Sequence, residues 1–365
     1  MSRVRIGISG WTYAPWRGVF YPKGLPQKQE LAYASRQFGT IEINGTFYGM
    51  QRPAAFASWA ATVPDDFVYA VKGPRFITHM KRLLDVESPL ANFIASGLLA
   101  LGPKLGPILW QFPPQFRFSA ERLEPFLAML PRDTAEAARL GARHDHRLKA
   151  PAFLEADPPR PMRHAVEIRH DAFRDQTFVD LLRRYGVALV VADTVDWPLL
   201  MDVTADFVYV RLHGSEELYA SGYDDAALDV WAARVAAWAR GREPGDALRV
   251  GGPAPRAKGR DVYVYFDNDA KVRAPRDALG LEARVAWPVR RWRYAAWRRR
   301  TGNPGGPGAF RSSAGSACCC CRTRSPGRRC SASPSSAACS LPSTMRRSWP
   351  TGWANPSARC CLRWR

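Results

Sequence analysis

Hydrophobic residues along roughly the first 280 positions follow two alternating rhythms. Eight short runs rich in Val, Ile and aromatic residues occupy 4–11, 40–47, 68–73, 106–112, 164–169, 188–193, 207–213 and 261–267. They read as strands, because branched and aromatic side chains suit a pleated, half-buried surface. Between most of them lie amphipathic stretches long enough for a helix, at 29–38, 54–62, 120–130, 177–185 and 225–240. Strands that alternate with helices pair in parallel, and eight such units predict a single α/β domain, a closed (β/α)8 barrel of TIM type. An open doubly wound sheet is the competing architecture, but no G-x-G-x-x-G follows the first strand. The segments 132–163 and 244–260 read as loop excursions before strands five and eight. The most apolar stretch, 89–101, is too short to cross a bilayer and reads as a buried helix.

Within the strands, successive side chains face opposite sides. Ile41 and Ile43 take one face against Glu42, Asn44 and Thr46; Tyr69 and Val71 stand against Ala70 and Lys72; Ile108 and Trp110 against Leu109 and Gln111. Val166 and Ile168 oppose Glu167 and Arg169, while Val208, Val210 and Leu212 oppose Tyr209, Arg211 and His213. Strand six ends in Asp193, and strand eight sets Tyr263, Tyr265 and Asp267 against Val262, Val264 and Phe266. The apolar face must pack on helices, so the other points into the barrel and becomes polar toward its C-terminal end. Burying unpaired charge costs several kcal/mol, roughly, so polar groups from seven strands at one rim mark a candidate site.

Charge changes this picture little. The net charge is +20, yet beyond Glu282 there is no Asp, Glu or Lys and there are 17 Arg. Residues 1–282 carry 36 basic and 33 acidic side chains, an ordinary balance that gives no support for nucleic-acid binding by the core. All eight Cys also lie in this tail, four of them consecutive, a spacing that suits neither a disulfide framework nor a zinc site. Residues 283–365 therefore form an Arg-, Cys-, Pro- and Ser-rich tail, expected to be disordered or an out-of-frame extension, with a genuine basic arm as the alternative. The opening residues lack the plan of a signal peptide, and residues 1–317 contain no Cys. A soluble, cytoplasmic protein with no membrane partner is expected.

Glu42, Glu167, Asp193 and His213 are the candidates for proton transfer, weighed against an internal salt-bridge network that closes the barrel mouth. Lys72, Arg169 and Arg211 suit an anionic group such as phosphate or carboxylate, or else neutralise those carboxylates. Asn44, His79, Gln111 and Asn268 add polar substrate-binding candidates. Trp11 and Tyr13 head an aromatic cluster suited to stacking on a sugar or base, or to packing the loops shut. A metal site would draw on His79, His213 and the carboxylates, but no H-x-H or H-E-x-x-H spacing supports one, and no cofactor is indicated. His144-Asp145-His146 has ligand-like spacing within a polar excursion and reads as a solvated loop. Positions 97–104 fail as a phosphate loop because Pro103 intrudes and Leu105 follows Lys104. Asn44-Gly45-Thr46 fits a glycosylation acceptor, which its strand context argues against.

Several blocks resemble the domain of unknown function 72 family, also called YecE-like. They are Gly7-Ile8-Ser9-Gly10-Trp11-Thr12-Tyr13, Glu42-Ile43-Asn44-Gly45-Thr46-Phe47-Tyr48 and Lys72-Gly73-Pro74-Arg75-Phe76-Ile77-Thr78-His79. Leu109-Trp110-Gln111-Phe112-Pro113-Pro114, Val166-Glu167-Ile168-Arg169-His170, Val191-Ala192-Asp193, Arg211-Leu212-His213-Gly214 and Phe266-Asp267-Asn268-Asp269 follow in order. The resemblance spans about residues 4–281 and implies a TIM-type barrel, without supplying a reaction. Asp267 and Asp277 stand where the family usually has Asn. The expected function is an enzyme, a hydrolase or an isomerase, acting on a small polar, anionic or sugar-like substrate. A non-catalytic ligand-binding barrel and a phosphodiester-processing enzyme are the alternatives.

The tail has no acidic partners and no sustained hydrophobic period, so it cannot bury enough apolar area to offset the cost of ordering it. Removing residues beyond Glu282 should leave the melting temperature within a few degrees. A fall of about 10 °C or more in a thermal scan would show that the tail packs.

Overall fold

In the computed structural model all eight apolar runs are strands, and they close on themselves. β1 (Val4–Ser9), β2 (Thr40–Ile43), β3 (Val68–Lys72), β4 (Leu105–Gln111), β5 (His164–Glu167), β6 (Ala188–Asp193), β7 (Phe207–Leu212) and β8 (Asp261–Phe266) form a closed barrel in chain order. Every pairing is parallel, and β1 returns to β8 with Val4 opposite Val262 and Ile8 opposite Phe266. The structure describes residues 2–156, 158–214, 221–268 and 272–285. The chain divides into two units, Met1–Gly302 and Asn303–Arg365, and all described residues belong to the first. Asp269 and the tail beyond Val285 lie outside them.

Every strand except β6 ends earlier than the alternation predicts, because the chain turns into loops at the C-terminal rim. β2 stops at Ile43, and Thr46 and Phe47 belong to α2 (Gly45–Tyr48), where the Thr46 hydroxyl donates to the Ile43 and Lys72 carbonyls. The ladder still carries one residue further at several strands. Phe112 N donates to Glu167 O, His213 N to Asp193 O, and Asp267 N to Leu212 O. Parity therefore still governs the direction of side chains just past the strand ends.

Around the barrel lie α1 (Glu30–Gln37), α3 (Pro53–Thr62), α4 (Glu87–Ala95), α5 (Ala120–Met129), α6 (Thr134–Gly141), α7 (Gln176–Tyr185), α8 (Asp225–Ala239) and α9 (Arg273–Val285). Capping explains several boundaries. The Asp175 carboxylate accepts from Thr177 and Phe178 N at the start of α7, which stops at Gly186 in the left-handed region (φ 61°). Asp133 caps α6 and Glu136 reaches back to Arg132 N, so the excursion 132–163 contains a helix that its Pro-rich composition conceals. The apolar stretch 89–101 is buried but breaks at Gly97 (φ 119°) into α4 and a tight helical turn. α9 runs to Val285, and Arg284 pairs with Asp225 and Asp229 of α8. A truncation that tests the tail without cutting this helix should therefore follow Val285. Among the described residues, no helix is long and apolar enough to cross a membrane.

The core has two layers. The larger lies between sheet and helices and includes Ile8, Ile41, Val71, Trp110, Val166, Val210 and Leu281. The smaller fills the barrel interior with Ala70, Leu109, Ala165, Ala188, Val190, Ala192, Phe207, Tyr209, Tyr263 and Tyr265. Small side chains from β3, β5 and β6 leave the space that the rings of β7 and β8 occupy, so the interior is packed rather than hollow.

Barrel closure also requires Gly7, on the inner face of β1. A Cβ there would lie 2.0 Å from the Thr40 carbonyl oxygen, a backbone atom that cannot move aside without breaking the sheet. Gly7→Ala should cost at least about 1–3 kcal/mol, the range for overpacking a core. Urea unfolding would read this, and an unchanged midpoint would show that β1 and β2 can separate freely.

Candidate active site at the barrel mouth

The charged residues of the inner face meet around one guanidinium. Arg211, at the C-terminal part of β7, is 0 % exposed. Its Nη2 donates to Glu42 Oε1 at 2.9 Å and Asp267 Oδ2 at 2.8 Å, and its Nη1 to Glu167 Oε2 at 2.6 Å. Three carboxylates from β2, β5 and the end of β8 thus surround one cation. Burial works against the charge on Arg211, but Asp267, Glu167 and Glu42 outweigh it and hold the guanidinium protonated. Burial would raise the Glu167 carboxyl; Arg211 and then Arg169 reverse this and bring it well below the usual range. Asp267 is likewise drawn down by Arg211 and His213 against its own desolvation. Both carboxyls are fixed as anions near neutral pH.

Glu42 is sealed beneath this cluster. Besides Arg211 it accepts from the Ser9 hydroxyl at 3.1 Å and the Tyr209 hydroxyl at 2.6 Å, and it is fully buried. His213 lies between Glu167 (Nε2 at 3.6 Å) and Asp267 (Nδ1 at 3.1 Å), with the edge of Trp197 against its ring. Arg169 pairs with Glu167 at 2.8 Å and stacks on Trp197, its guanidinium carbon 3.6 Å from the ring centroid.

Lys72 differs from these. The last residue of β3, it is 8 % exposed, and its Nζ lies 4.4 Å from the centre of the Phe47 ring. Among the described residues its ammonium makes no hydrogen bond and no ion pair. Burial, and next the positive charge of Arg211, bring its pKa down to about 8, although Asp267, Glu42 and Glu167 pull the other way. His79 sits in the helical turn Phe76–Met80 after β3, edge-on to Phe47 and bonded to the Thr78 hydroxyl. Desolvation, followed by Arg169 and Lys72, lowers its pKa to about 4, so it is neutral at neutral pH.

Amides complete the rim. Gln111 Oε1 at the end of β4, Asn44 Oδ1 just after β2 and Asn268 Oδ1 after β8 are buried acceptors without a hydrogen-bond partner among the described residues. The Asn268 Nδ2 is held by Ser221 O and Asp277 Oδ2. Three sequence candidates lie apart from this cluster. Asp193 pairs in register with Leu212, on the outer parity of its strand, and accepts from Trp231 of α8 at 3.2 Å. The Tyr13 hydroxyl donates to Ser9 O beneath the first loop. Trp11 packs edge-on against Trp59 and lines, with Lys28, a groove of about 640 Å³ along α1 and α3. His144 and His146 are exposed, and Asp145 is bonded to Asn92 on α4. No group of three or more metal-ligating side chains is placed to hold an ion among the described residues.

With the geometry established, relatives place the chain. A family profile described as "Protein of unknown function DUF72" matches residues 5–300. The chain belongs to the DUF72 family. YecE of Escherichia coli K12 is 29% identical over 140 residues, covering 33% of this chain and 49% of that protein. YunF of Bacillus subtilis 168 is 29% identical over 126 residues, covering 33% and 43%. The matched region thus spans about half the length of these curated relatives. A DUF72 family protein from Thermotoga maritima has the same fold, with a TM-score of 0.58 and 24% identity over 77% of this chain and 98% of that one. Another, from Enterococcus faecalis, gives a TM-score of 0.54 at 15% identity, covering 77% and 95%.

In this DUF72 chain the two Asp residues that replace the expected Asn are both engaged. Asp267 holds Arg211 and His213, while Asp277 accepts from Tyr223 N and Asn268, its pKa raised chiefly by burial. The charge of Asp267 is therefore balanced within the network. Ser9 and Tyr209 are partners of Glu42 that strand parity could have supplied. Trp197 comes from a loop without periodicity, and nothing in its sequence context points to it.

Arg211→Met removes the shared countercharge of three buried carboxylates and should destabilise the barrel by about 3–5 kcal/mol near neutral pH. Glu167 and Asp267 resist protonation in the folded chain, so the unfolded chain takes up protons first on acidification. Their stabilisation is present above about pH 5 and is lost progressively as pH falls from the usual carboxyl range down through their lowered folded-state values. The variant should start less stable and lose less on acidification. Parallel stability-against-pH curves for the two proteins would show that Arg211 does not set these carboxyls.

Proposed function

We propose that the barrel mouth is the active site of an enzyme, a hydrolase or an isomerase, acting on a small polar substrate with an anionic group or sugar-like hydroxyls. The observation that carries this reading is Lys72. Three carboxylates close on Arg211, yet the neighbouring buried ammonium pairs with none of them. A desolvated cation with no hydrogen-bond or ion-pair partner among the described residues, at the C-terminal rim of a TIM-type barrel, is a group disposed toward a ligand. Its pKa of about 8 also suits proton transfer near neutral pH.

In this reading Lys72 and Arg169 attract the negative charge, and Gln111 and Asn44 accept from substrate hydroxyls. Glu167 and Glu42, saturated with donors, act by fixing Arg211 and the local field. His213, held by Asp267 beside Glu167, is the second candidate for moving a proton. The outward placement of Asp193 supports a structural role for it. A non-catalytic binding barrel is the second reading, favoured by one observation: Glu42 takes three donors and is fully buried.

Calorimetric titration of the full chain with inorganic phosphate tests the site. Binding should weaken as pH rises through about 8, where Lys72 loses its charge, and Lys72→Met should weaken it by about tenfold or more, equivalent to about 1.4 kcal/mol. Its melting temperature should change little, because the variant removes a desolvated charge that has no partner. Equal phosphate affinity in the two proteins would defeat the assignment of Lys72. Turnover of phosphorylated or glycosidic substrates by the parent protein alone would distinguish an enzyme from a binding barrel.

A further inference from the structure

We infer that Lys72 is a carbonyl-reactive amine, forming an imine at the barrel mouth with a small hydroxylated aldehyde or ketone that carries an anionic group. This deepens the reading of the mouth as a small-molecule site and rests on it. The geometry supplies what such an amine needs. Lys72 ends β3 on the inner face, its carbonyl is fixed by the Thr46 hydroxyl at 2.7 Å, and Phe47 lies under its head group. It is buried, yet its nitrogen makes no hydrogen bond or ion pair among the described residues, so nothing must be displaced before it attacks. Lys104, by contrast, is held by the Ala60 and Val63 carbonyls, and Lys23, Lys28, Lys149 and Lys258 are exposed.

Attack requires the neutral amine. The charged groups facing Lys72 are Glu42 from β2, Glu167 from β5, Arg211 from β7 and Asp267 after β8, with His79 and Arg169 nearby. Near pH 7 a lysine with a pKa of about 8 is roughly one-tenth neutral, against about one in a few thousand for an ordinary lysine. The Nζ lone pair forms a bond to the carbonyl carbon as the C=O π pair moves onto oxygen, which takes a proton to give a carbinolamine. The first proton on that oxygen is one that nitrogen gives up; the oxygen takes a second from solvent and leaves as water while the nitrogen lone pair forms the C=N bond. The protonated imine keeps a positive charge where the free amine has lost it. The fixed anions Glu167 and Asp267 and the face of Phe47 therefore favour the product. The unpartnered acceptors of Gln111 and Asn44 match hydroxyls on the carbonyl compound, and Arg169 supplies charge for its anionic end.

The test is reductive trapping of the full chain with dihydroxyacetone phosphate and cyanoborohydride, followed by peptide mapping. The expected adduct is on Lys72, formed about tenfold faster than on any exposed lysine, with a rate that rises with pH to a plateau above about 8. Lys72→Arg, with its melting temperature checked against the parent, should form no adduct in the mouth. Labelling confined to exposed lysines, with phosphate binding intact, overturns the imine and leaves the small-molecule site standing. Absence of both phosphate binding and the Lys72 adduct overturns the two readings together.

Discussion

A guanidinium that cannot lose its proton sits in the dry interior of this barrel, and everything at the mouth is arranged around it. Arg211 is tolerable there only because β2, β5 and β8 each bring a carboxylate within hydrogen-bond distance. The arrangement is reciprocal. Glu167 and Asp267 are held ionised by the cation, and three strands far apart in sequence are tied to a fourth. Such a network is a weak source of net stability, since desolvation offsets much of the attraction, but it fixes which side chains meet and in what geometry.

That allocation has a consequence for the neighbouring lysine. Burial, and then the nearby Arg211, disfavour Lys72 as a cation; Asp267, Glu42 and Glu167 offset this only in part, and their hydrogen bonds go to the guanidinium. A desolvated ammonium with no ion pair among the described residues follows from the geometry of its neighbours rather than from its own sequence context. The scaffold beneath is the opposite in character. Tyrosines of β7 and β8 fill the interior, with their hydroxyls satisfied by Glu42 and Thr40. At the other end of the barrel, Arg163 pairs with Asp206 and Asp261 in a setting that stabilises without any feature of a site. The tightly packed floor and closed lower end hold the mouth residues in one arrangement.

Much of the fold was legible in the chain. Period-two alternation in the eight runs located every strand, because a barrel strand buries both faces yet separates large outward residues from those of the interior. The elements that the sequence reading missed include α6, set by the Asp133–Glu136 cap inside a Pro-rich segment, α2, where β2 gives way to a turn, and α9, which follows β8. Parity also placed Glu42, Lys72, Gln111, Glu167, Arg211 and His213 on one inner rim. It would have set Asp193 aside had it been applied to strand six, where Ala188, Val190 and Ala192 face inward.

By itself the sequence determined the architecture, the polar end of the barrel and the residue types gathered there, because periodicity and charge placement are local properties of the chain. Only the tertiary structure decided which charges neutralise each other. Glu42 and Arg211 lie 169 positions apart, and nothing local sets their 2.9 Å contact. The ring closure that brings β2, β5, β7 and β8 together made Arg211 the occupied cation and Lys72 the unpartnered one. Electrostatic energy depends on distance and burial, which the order of residues along the chain does not contain.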